Sequence, residues 1–187
     1  MTLNKKLFLL VGNSGSGKDS LINEVVKTWP SNLPQIRIPH RYITRPPHET
    51  EPFHSVTKET FDQLQRDNKF CLSWHIYGLD YGVSCEILDW LNRGHIVVIN
   101  VSRSIIDHAR KRFPYLKVIF VKVPFAITLE RIKNRGRESE NDPVFRDRVE
   151  RARKNQDFLT ADFIVKNEGP LEIGVQKLRN YLINQFS

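Results

Sequence analysis

Nine residues, Gly12-Asn13-Ser14-Gly15-Ser16-Gly17-Lys18-Asp19-Ser20, constrain this chain more than any other stretch. They follow the apolar run Leu7-Phe8-Leu9-Leu10-Val11 and precede a helical pattern in which Leu21, Ile22, Val25 and Val26 share one face. Strand, glycine loop, lysine, helix is the layout of a phosphate-binding loop. The glycines let successive backbone N–H groups turn inward around an anion, and the helix N-terminus adds partial positive charge. Lys18 is placed to reach the β- and γ-phosphates of a nucleotide. Where such loops carry a hydroxyl after the lysine, this chain has Asp19, and Ser20 follows. Asp19 and Ser20 are therefore both candidate ligands for a Mg²⁺ ion. The competing explanation, a glycine-rich turn arising by chance, does not account for the strand before it and the helix after it.

The 187 residues suffice for one domain, 40% of them hydrophobic and 27% charged, as in ordinary globular proteins. Cys71 and Cys85 fit no metal or redox spacing and read as free thiols of a reducing compartment. Lys5-Lys6 ahead of the first apolar run resembles a signal peptide, but that run is too short and continues into the glycine loop. No run has the length of a membrane span. A cytoplasmic location is expected, without a membrane partner. The net charge of +8 raises the question of nucleic acid. Basic and aromatic residues are not interleaved, however, and the arginines gather in short separate clusters. Small phosphorylated ligands are expected instead, and homodimer formation is left open.

Periodicity alternates between strand and helix. Strands are expected over 7–12, 35–38, 95–101, 116–123 and 162–165, with short strands over 70–74 and 81–83. Helices are expected over 18–29, 57–68, 86–92, 104–112, 125–134, 143–160 and 171–186. The proline-containing stretch 46–52 and the charged stretch 136–141 read as loops. Five helix-connected strands with a phosphate loop after the first predict a doubly wound α/β fold, a parallel sheet flanked by helices. We read residues 1–187 as one kinase-like domain. Its core covers about 1–34, 84–134 and 160–187, an α+β excursion 35–83, and an arginine-rich segment 135–150.

Three further groups carry chemistry. In His40-Arg41-Tyr42-Ile43-Thr44-Arg45, two arginines four apart suit a second phosphate, or else form a solvated pair. Arg131, Arg135, Arg137 and Arg148 suit a closing lid that stabilises charge during phosphoryl transfer. They also fit a basic helix pair with the acidic partners Glu130, Asp147 and Glu150. The segment from Trp74 to Val83, with Asn100-Val101-Ser102-Arg103, has the glycines and aromatics to wall a pocket for a small acceptor. His54 and His75 receive no catalytic role. No general base stands out, which suits a phosphate acceptor, already anionic and needing only orientation.

Taken in order, these marks resemble the guanylate kinase superfamily of P-loop nucleoside monophosphate kinases, over nearly the whole chain. They are the glycine loop, Tyr42-Ile43-Thr44-Arg45, Phe70 to Trp74, Tyr81-Gly82, and Arg131-Ile132-Lys133-Asn134-Arg135-Gly136. The runs 15–21, 40–45, 72–75, 81–83, 100–103 and 134–138 are similar to its ribose 1,5-bisphosphate phosphokinase branch, which serves phosphonate utilisation. That branch moves the ATP γ-phosphoryl group to the 1-phosphate of ribose 1,5-bisphosphate, giving 5-phosphoribosyl 1-diphosphate (PRPP) and ADP. The resemblance implies that Gly12, Asn13, Ser14, Gly15, Ser16, Gly17, Lys18, Asp19 and Ser20 hold ATP phosphates and Mg²⁺. It implies that Arg41 and Arg45 hold an acceptor phosphate, with Tyr81, Asn100 and Arg103 lining the acceptor site. Lys18, Arg135 and Arg148 become the catalytic residues. Arg131 and Asn167 fall near adenine.

Departures from guanylate kinases narrow the match. Their guanine-reading glutamate is matched by Ser73, their acidic residue at a strand end by Asn100, and their phosphate-binding tyrosine by Phe53. Unpaired guanine donors in a closed site would cost about 1–3 kcal/mol each, whereas a sugar bisphosphate has no such donors. A guanylate-type kinase is the alternative within enzymes. A non-catalytic guanylate-kinase-like interaction module is the alternative outside them, set against the intact loop and Lys18.

Overall fold

The computed structural model describes residues 6–47, 52–134 and 141–186. In chain order these form β1 (Lys6–Val11), α1 (Lys18–Lys27), β2 (Ile36–Arg37), β3 (Tyr42–Ile43), β4 (His54–Ser55), α2 (Lys58–Arg66), β5 (Phe70–Ile76) and β6 (Leu79–Ser84). There follow α3 (Ile87–Asn92), β7 (Ile96–Asn100), α4 (Ile106–Arg112), β8 (Lys117–Lys122), α5 (Phe125–Asn134), α6 (Pro143–Lys154), β9 (Phe163–Lys166) and α7 (Leu171–Ile183). One 3-10 turn, Arg103–Ile105, precedes α4, and another, Asn184–Phe186, follows α7. Five strands share a sheet in the order β2-β7-β1-β8-β9, and four make a second in the order β4-β3-β6-β5. The five are the helix-connected strands expected from the sequence. By contacts the chain divides into two units, Met1–Phe8 with Pro34–Leu116, and Leu9–Leu33 with Lys117–Ser187.

In the first unit β2 runs parallel to β7, pairing Ile36 with Ile96 and Arg37 with Val97. Ile96 to Ile99 are all buried, as a nearly continuous apolar strand must be when both sheet faces are covered. The four-stranded sheet is built on the hairpin β5–β6, turned by Tyr77 and Gly78, both at positive φ (55° and 72°). Such a two-residue turn matches the right-handed twist of the strands. β3 pairs antiparallel with β6 and parallel with β4. Neither β3 nor β4 was expected. At two residues each they are too short to show a period, and only their partners fix them. Helix α2 starts at its cap Thr57, whose hydroxyl accepts from the Thr60 N–H, and unwinds at a left-handed Asn68 (φ 54°).

In the second unit β8 and β9 are parallel, pairing Ile119 with Phe163 through Lys122 with Lys166. Helices α5 and α6 pack through Ile132, Phe145 and Ala152, with Phe125 and Val149 beside them. Helix α6 begins at Asp142, whose carboxylate caps the Val144 N–H at 2.8 Å, with Pro143 in the first turn. It stops at Lys154, short of the expected 160. Beyond it Phe158 sets its ring edge-on to Phe120 of β8, at 6.2 Å. Tertiary packing here overrides helical periodicity.

Candidate functional site

In the second unit the glycine loop connects the buried end of β1 to the first turn of α1. Gly17 is the cap residue of α1, at φ 82°, and a Cβ there would lie 2.5 Å from the Asn167 side chain. Only glycine satisfies both demands. Gly12 lies against the Val121 carbonyl of β8, and Gly15 against Thr128, Arg131 and Ile132 of α5. The Ser16 N–H closes a turn onto the Asn13 carbonyl at 3.1 Å, and Ser16 is buried. Lys18 Nζ donates to the carbonyls of Gly12 (2.8 Å) and Asn13 (3.0 Å) and to Ser16 Oγ (3.3 Å). Its ammonium is thus held against the loop's own backbone. Asp19 is half-buried and Ser20 exposed in the first turn of α1. Both offer the hard oxygen that Mg²⁺ prefers.

Three more side chains fix this loop. Asn13 Nδ2 donates to the carbonyls of Ala152 (3.2 Å) and Asn155 (3.0 Å), at the C-terminal end of α6. Arg148, from the same helix, donates to Ser14 Oγ at 3.2 Å. Asn167, just past β9, is buried and donates from Nδ2 to the Ser16 carbonyl at 2.8 Å. Its own carbonyl accepts from Arg131 Nη1 at 3.2 Å. The structure thus gathers Arg131, Arg148 and Asn167 at the glycine loop. Arg135 lies outside the described residues. The bracing roles of the Asn13 and Asn167 amides carried no sequence signal beyond their positions, one in the loop and one after a strand.

In the first unit Arg41, Tyr81 and Asn100 come together. Arg41 Nη1 donates to the Asn100 carbonyl at 3.3 Å, at the C-terminal end of β7. Its guanidinium stands 5.9 Å from the centre of the Tyr81 ring. Tyr81 stacks on Trp74, its cross-strand neighbour, with planes 5° apart and centroids 5.3 Å apart. Arg103 opens the 3-10 turn three residues beyond Asn100. Arg45 makes a different contact, its guanidinium 4.6 Å above the Phe53 ring. A cation over an aromatic face is attracted by the ring's negative face.

The segment from Trp74 to Val83 does not act as one wall. Trp74 pairs with Tyr81 and His75 with Asp80, so the pleat sends the two pairs to opposite faces. His75 and Asp80 line a separate cleft of about 580 Å³ with Thr44, Arg45, Thr57 and Lys58. There Asp80 accepts from His75 Nδ1 at 2.8 Å and pairs with Lys58 at 3.2 Å. Burial opposes ionisation of Asp80, but these hydrogen bonds outweigh it and hold the carboxyl below its usual range.

A parallel sheet whose first strand feeds a glycine loop, a lysine and a helix defines a P-loop phosphotransferase fold. The guanylate kinase family profile matches residues 4–185. The chain is 37% identical over 174 residues to the ribose 1,5-bisphosphate phosphokinase PhnN of Thiobacillus denitrificans, covering 92% of this chain and 90% of that one. It is 38% identical over 170 residues to the phosphokinase of the same name from Pectobacterium atrosepticum, covering 89% and 88%. Its backbone is similar to a crystal structure of guanylate kinase from Anaplasma phagocytophilum, with a TM-score of 0.69 at 16% identity, covering 96% of this chain and 85% of that one. The chain belongs to the guanylate kinase family and is an enzyme of the phosphotransferase class. Among the described residues no helix is long and apolar enough to cross a membrane.

Proposed function

We propose that the enzyme transfers the γ-phosphoryl group of ATP to the 1-phosphate of ribose 1,5-bisphosphate, yielding PRPP and ADP, and so serves phosphonate metabolism. An oxygen of the acceptor's 1-phosphate forms the new bond to the γ-phosphorus, and the bond from that phosphorus to the β–γ bridging oxygen breaks. ADP leaves with the electron pair. No proton has to be removed from the attacking oxygen, in keeping with the absence of a strong base candidate. The observation that carries this reading is the Arg41 guanidinium on the Asn100 carbonyl. Guanylate kinases are expected to hold an acid at that strand end for guanine. Here a cation occupies it, and position 73 is a serine. The ribose 1,5-bisphosphate phosphokinases that the chain resembles agree with this reading.

On this reading the loop 12–20 cradles the ATP phosphates with main-chain N–H groups, and Lys18 moves with the γ-phosphoryl group. In support, the Lys18 ammonium bonds to two main-chain carbonyls and one hydroxyl of the loop. Arg148, with Arg135, supplies charge from the lid. Arg131 and Asn167 bound the adenine side. Asp19 and Ser20 would hold Mg²⁺, which would supply positive charge to offset that of the phosphates. Tyr81, Asn100 and Arg103 line the acceptor site with Arg41 and Arg45.

The test is an acceptor panel with ATP and Mg²⁺: ribose 1,5-bisphosphate, ribose 5-phosphate, GMP and AMP, with products identified by phosphorus NMR. A diphosphate signal on C1 of the sugar, with GMP slower by orders of magnitude, is expected. Comparable specificity constants for GMP and the sugar would overturn the reading in favour of a guanylate-type kinase.

A further inference from the structure

Cys71 and Cys85 stand 14 residues apart, at the open end of the β5–β6 hairpin, away from its turn at Tyr77 and Gly78. Regular pairing would keep them apart. From Ile76 with Leu79 back to Trp74 with Tyr81, Ser73 with Gly82 and Leu72 with Val83, the ladder is unbroken. Its continuation would set Cys71 opposite Ser84 and Phe70 opposite Cys85. Successive residues face opposite sides of a sheet, so the two thiols would then point apart. The ladder slips instead. Phe70 pairs with Ser84, Cys71 is the extra residue of a bulge, and the Cys85 N–H donates to the Lys69 carbonyl at 2.9 Å. A bulge re-aims a side chain. Here it brings the Cys71 sulfur to 2.7 Å from that of Cys85. A disulfide bond is about 2.0 Å long, so closing one needs less than about 1 Å of sulfur movement.

The two thiols are not equivalent. Cys71 is buried, whereas Cys85 is partly exposed and donates to the Asn68 carbonyl at 3.7 Å. Burial, then Cys85, keep the proton on Cys71, while the Arg112 guanidinium beside it acts the other way. We infer that Cys85 is a site of oxidation by a low-molecular-weight disulfide and that Cys71 is its resolving partner, the two forming a reversible disulfide that locks the hairpin. The Cys85 thiolate attacks one sulfur of the oxidant, such as glutathione disulfide, forming a mixed disulfide and releasing one glutathione thiolate. The Cys71 sulfur then attacks Cys85 Sγ. The protein disulfide forms, the mixed disulfide breaks, and the second glutathione leaves with the electron pair and takes the Cys71 proton. Two protein thiols are oxidised, and one glutathione disulfide is reduced to two thiols. Arg112 offsets the charge that gathers on the Cys71 sulfur. Where thiols are kept reduced, disulfides are transient and redox-sensing, and an accessible thiol beside a resolving cysteine is their usual arrangement. The closed ring contains Trp74 and Tyr81, which stack across the hairpin. Oxidation therefore acts in the unit that holds Arg41, Tyr81 and Asn100.

The folded full chain is incubated with glutathione disulfide, and its thiols are followed by intact mass in wild type, Cys71→Ser and Cys85→Ser. Wild type is expected to lose two hydrogens, carry no glutathione, stay a single chain on a non-reducing gel, and recover both thiols in dithiothreitol. Cys71→Ser should instead accumulate one glutathione, on Cys85. Cys85→Ser should react at least about tenfold more slowly than Cys71→Ser, because its remaining thiol is buried. Amide hydrogen exchange over residues 71–85 should be about tenfold slower in oxidised than in reduced wild type. Wild-type chains that keep both thiols, hold glutathione on Cys85, or join to one another through disulfides would overturn the pairing. Equal reactivity of the two variants would overturn Cys85 as the point of attack, and unchanged exchange in the oxidised chain would overturn the lock. The wild-type measurements carry the test by themselves if a variant misfolds.

Discussion

The side-chain amide of Asn167 donates a 2.8 Å hydrogen bond to the main-chain carbonyl of Ser16. Asn167 is buried, and Gly17 has no space for a Cβ because Asn167 occupies it. Gly174 of α7 is similarly close, since a Cβ there would lie 3.3 Å from Asn167 Oδ1. The end of β9, the start of α7 and the glycine loop are therefore fitted around one amide. Asn167→Ala should raise the KM for ATP about tenfold and lower stability by about 1–3 kcal/mol, the cost of leaving a buried carbonyl unpaired. Asn167→Asp should do more damage, since an oxygen would then face an oxygen. Steady-state kinetics with both substrates varied, together with urea unfolding, measures this. An unchanged ATP KM in a destabilised variant would mean that Asn167 serves the fold alone.

Lys18 gives a sharper kinetic expectation. Lys18→Met keeps most of the aliphatic stem and removes the ammonium that Gly12, Asn13 and Ser16 now surround. Turnover should fall by about 100-fold or more, the range seen when one charge-stabilising donor is removed from a phosphoryl or acyl site. Circular dichroism should stay that of the wild type. A folded variant with near-normal transfer would remove the lysine from the mechanism.

The elements legible in the sequence are those in which burial leaves a long pattern. Leu7 to Val11, Ile96 to Ile99 and Val118 to Val121 are continuous apolar runs and are buried strands. The glycine loop was legible because its chemistry needs backbone at fixed spacing. What stayed hidden depended on partners distant in sequence. β3 exists only through its pairing with β6, and β4 through its pairing with β3, while the end of α6 is shaped by the packing of Phe158 on Phe120. Residues 74–83 read as one wall because composition does not show the pleat. Once Trp74 pairs with Tyr81 and His75 with Asp80, half of that wall belongs to another face. Arg41 and Arg45 looked like a pair from their spacing, and only Asn100 and Phe53 separate them.

Asn13 links the glycine loop to the helix that carries Arg148. Its amide donates to the carbonyls of Ala152 and Asn155, and Arg148 returns a bond to Ser14 Oγ at 3.2 Å. Asn13→Asp replaces both donors with a carboxylate beside helix-terminal carbonyls, where the helix dipole also disfavours an anion. We expect turnover to fall about tenfold with little change in acceptor KM. If Asn13 acts by placing Arg148, the two substitutions are not additive: Asn13→Asp should cost much less in an Arg148→Ala background. A double-mutant cycle on kcat decides this, and strict additivity would separate the two residues.

On the proposed reading, Asp19 and Ser20 are alternative ligands for the metal. Asp19 would bind Mg²⁺ directly or through water, and without a metal its charge repels the phosphates. ATP binding should therefore depend steeply on Mg²⁺, and Asp19→Ser should relax that dependence while sparing the fold. Titrating Mg²⁺ at fixed ATP in wild type, Asp19→Ser and Ser20→Ala distinguishes the residues. If only Ser20→Ala moves the metal midpoint, Ser20 is the ligand and Asp19 serves the start of the helix.

Cys71 and Cys85 are free thiols, and Cys71 donates to Cys85 Sγ at 2.7 Å. Burial, and then the neighbouring Cys85, push the Cys71 thiol from 9.0 up to about 12. The folded chain thus keeps a proton that the unfolded chain releases from about pH 9 upward. Because the native state then binds more protons, stability falls with rising pH across that window. From pH 8 to pH 10 the contribution of this one group is a loss on the order of 1 kcal/mol. Cys71→Ala should be less stable than wild type at pH 8, because it leaves a small cavity, yet should lose less stability on going to pH 10, by on the order of 1 kcal/mol. Urea unfolding of both proteins at the two pH values, under reducing conditions, measures the difference. Equal losses would show that the alkaline sensitivity arises at other groups and that Cys71 ionises as readily in the folded chain as in the unfolded one.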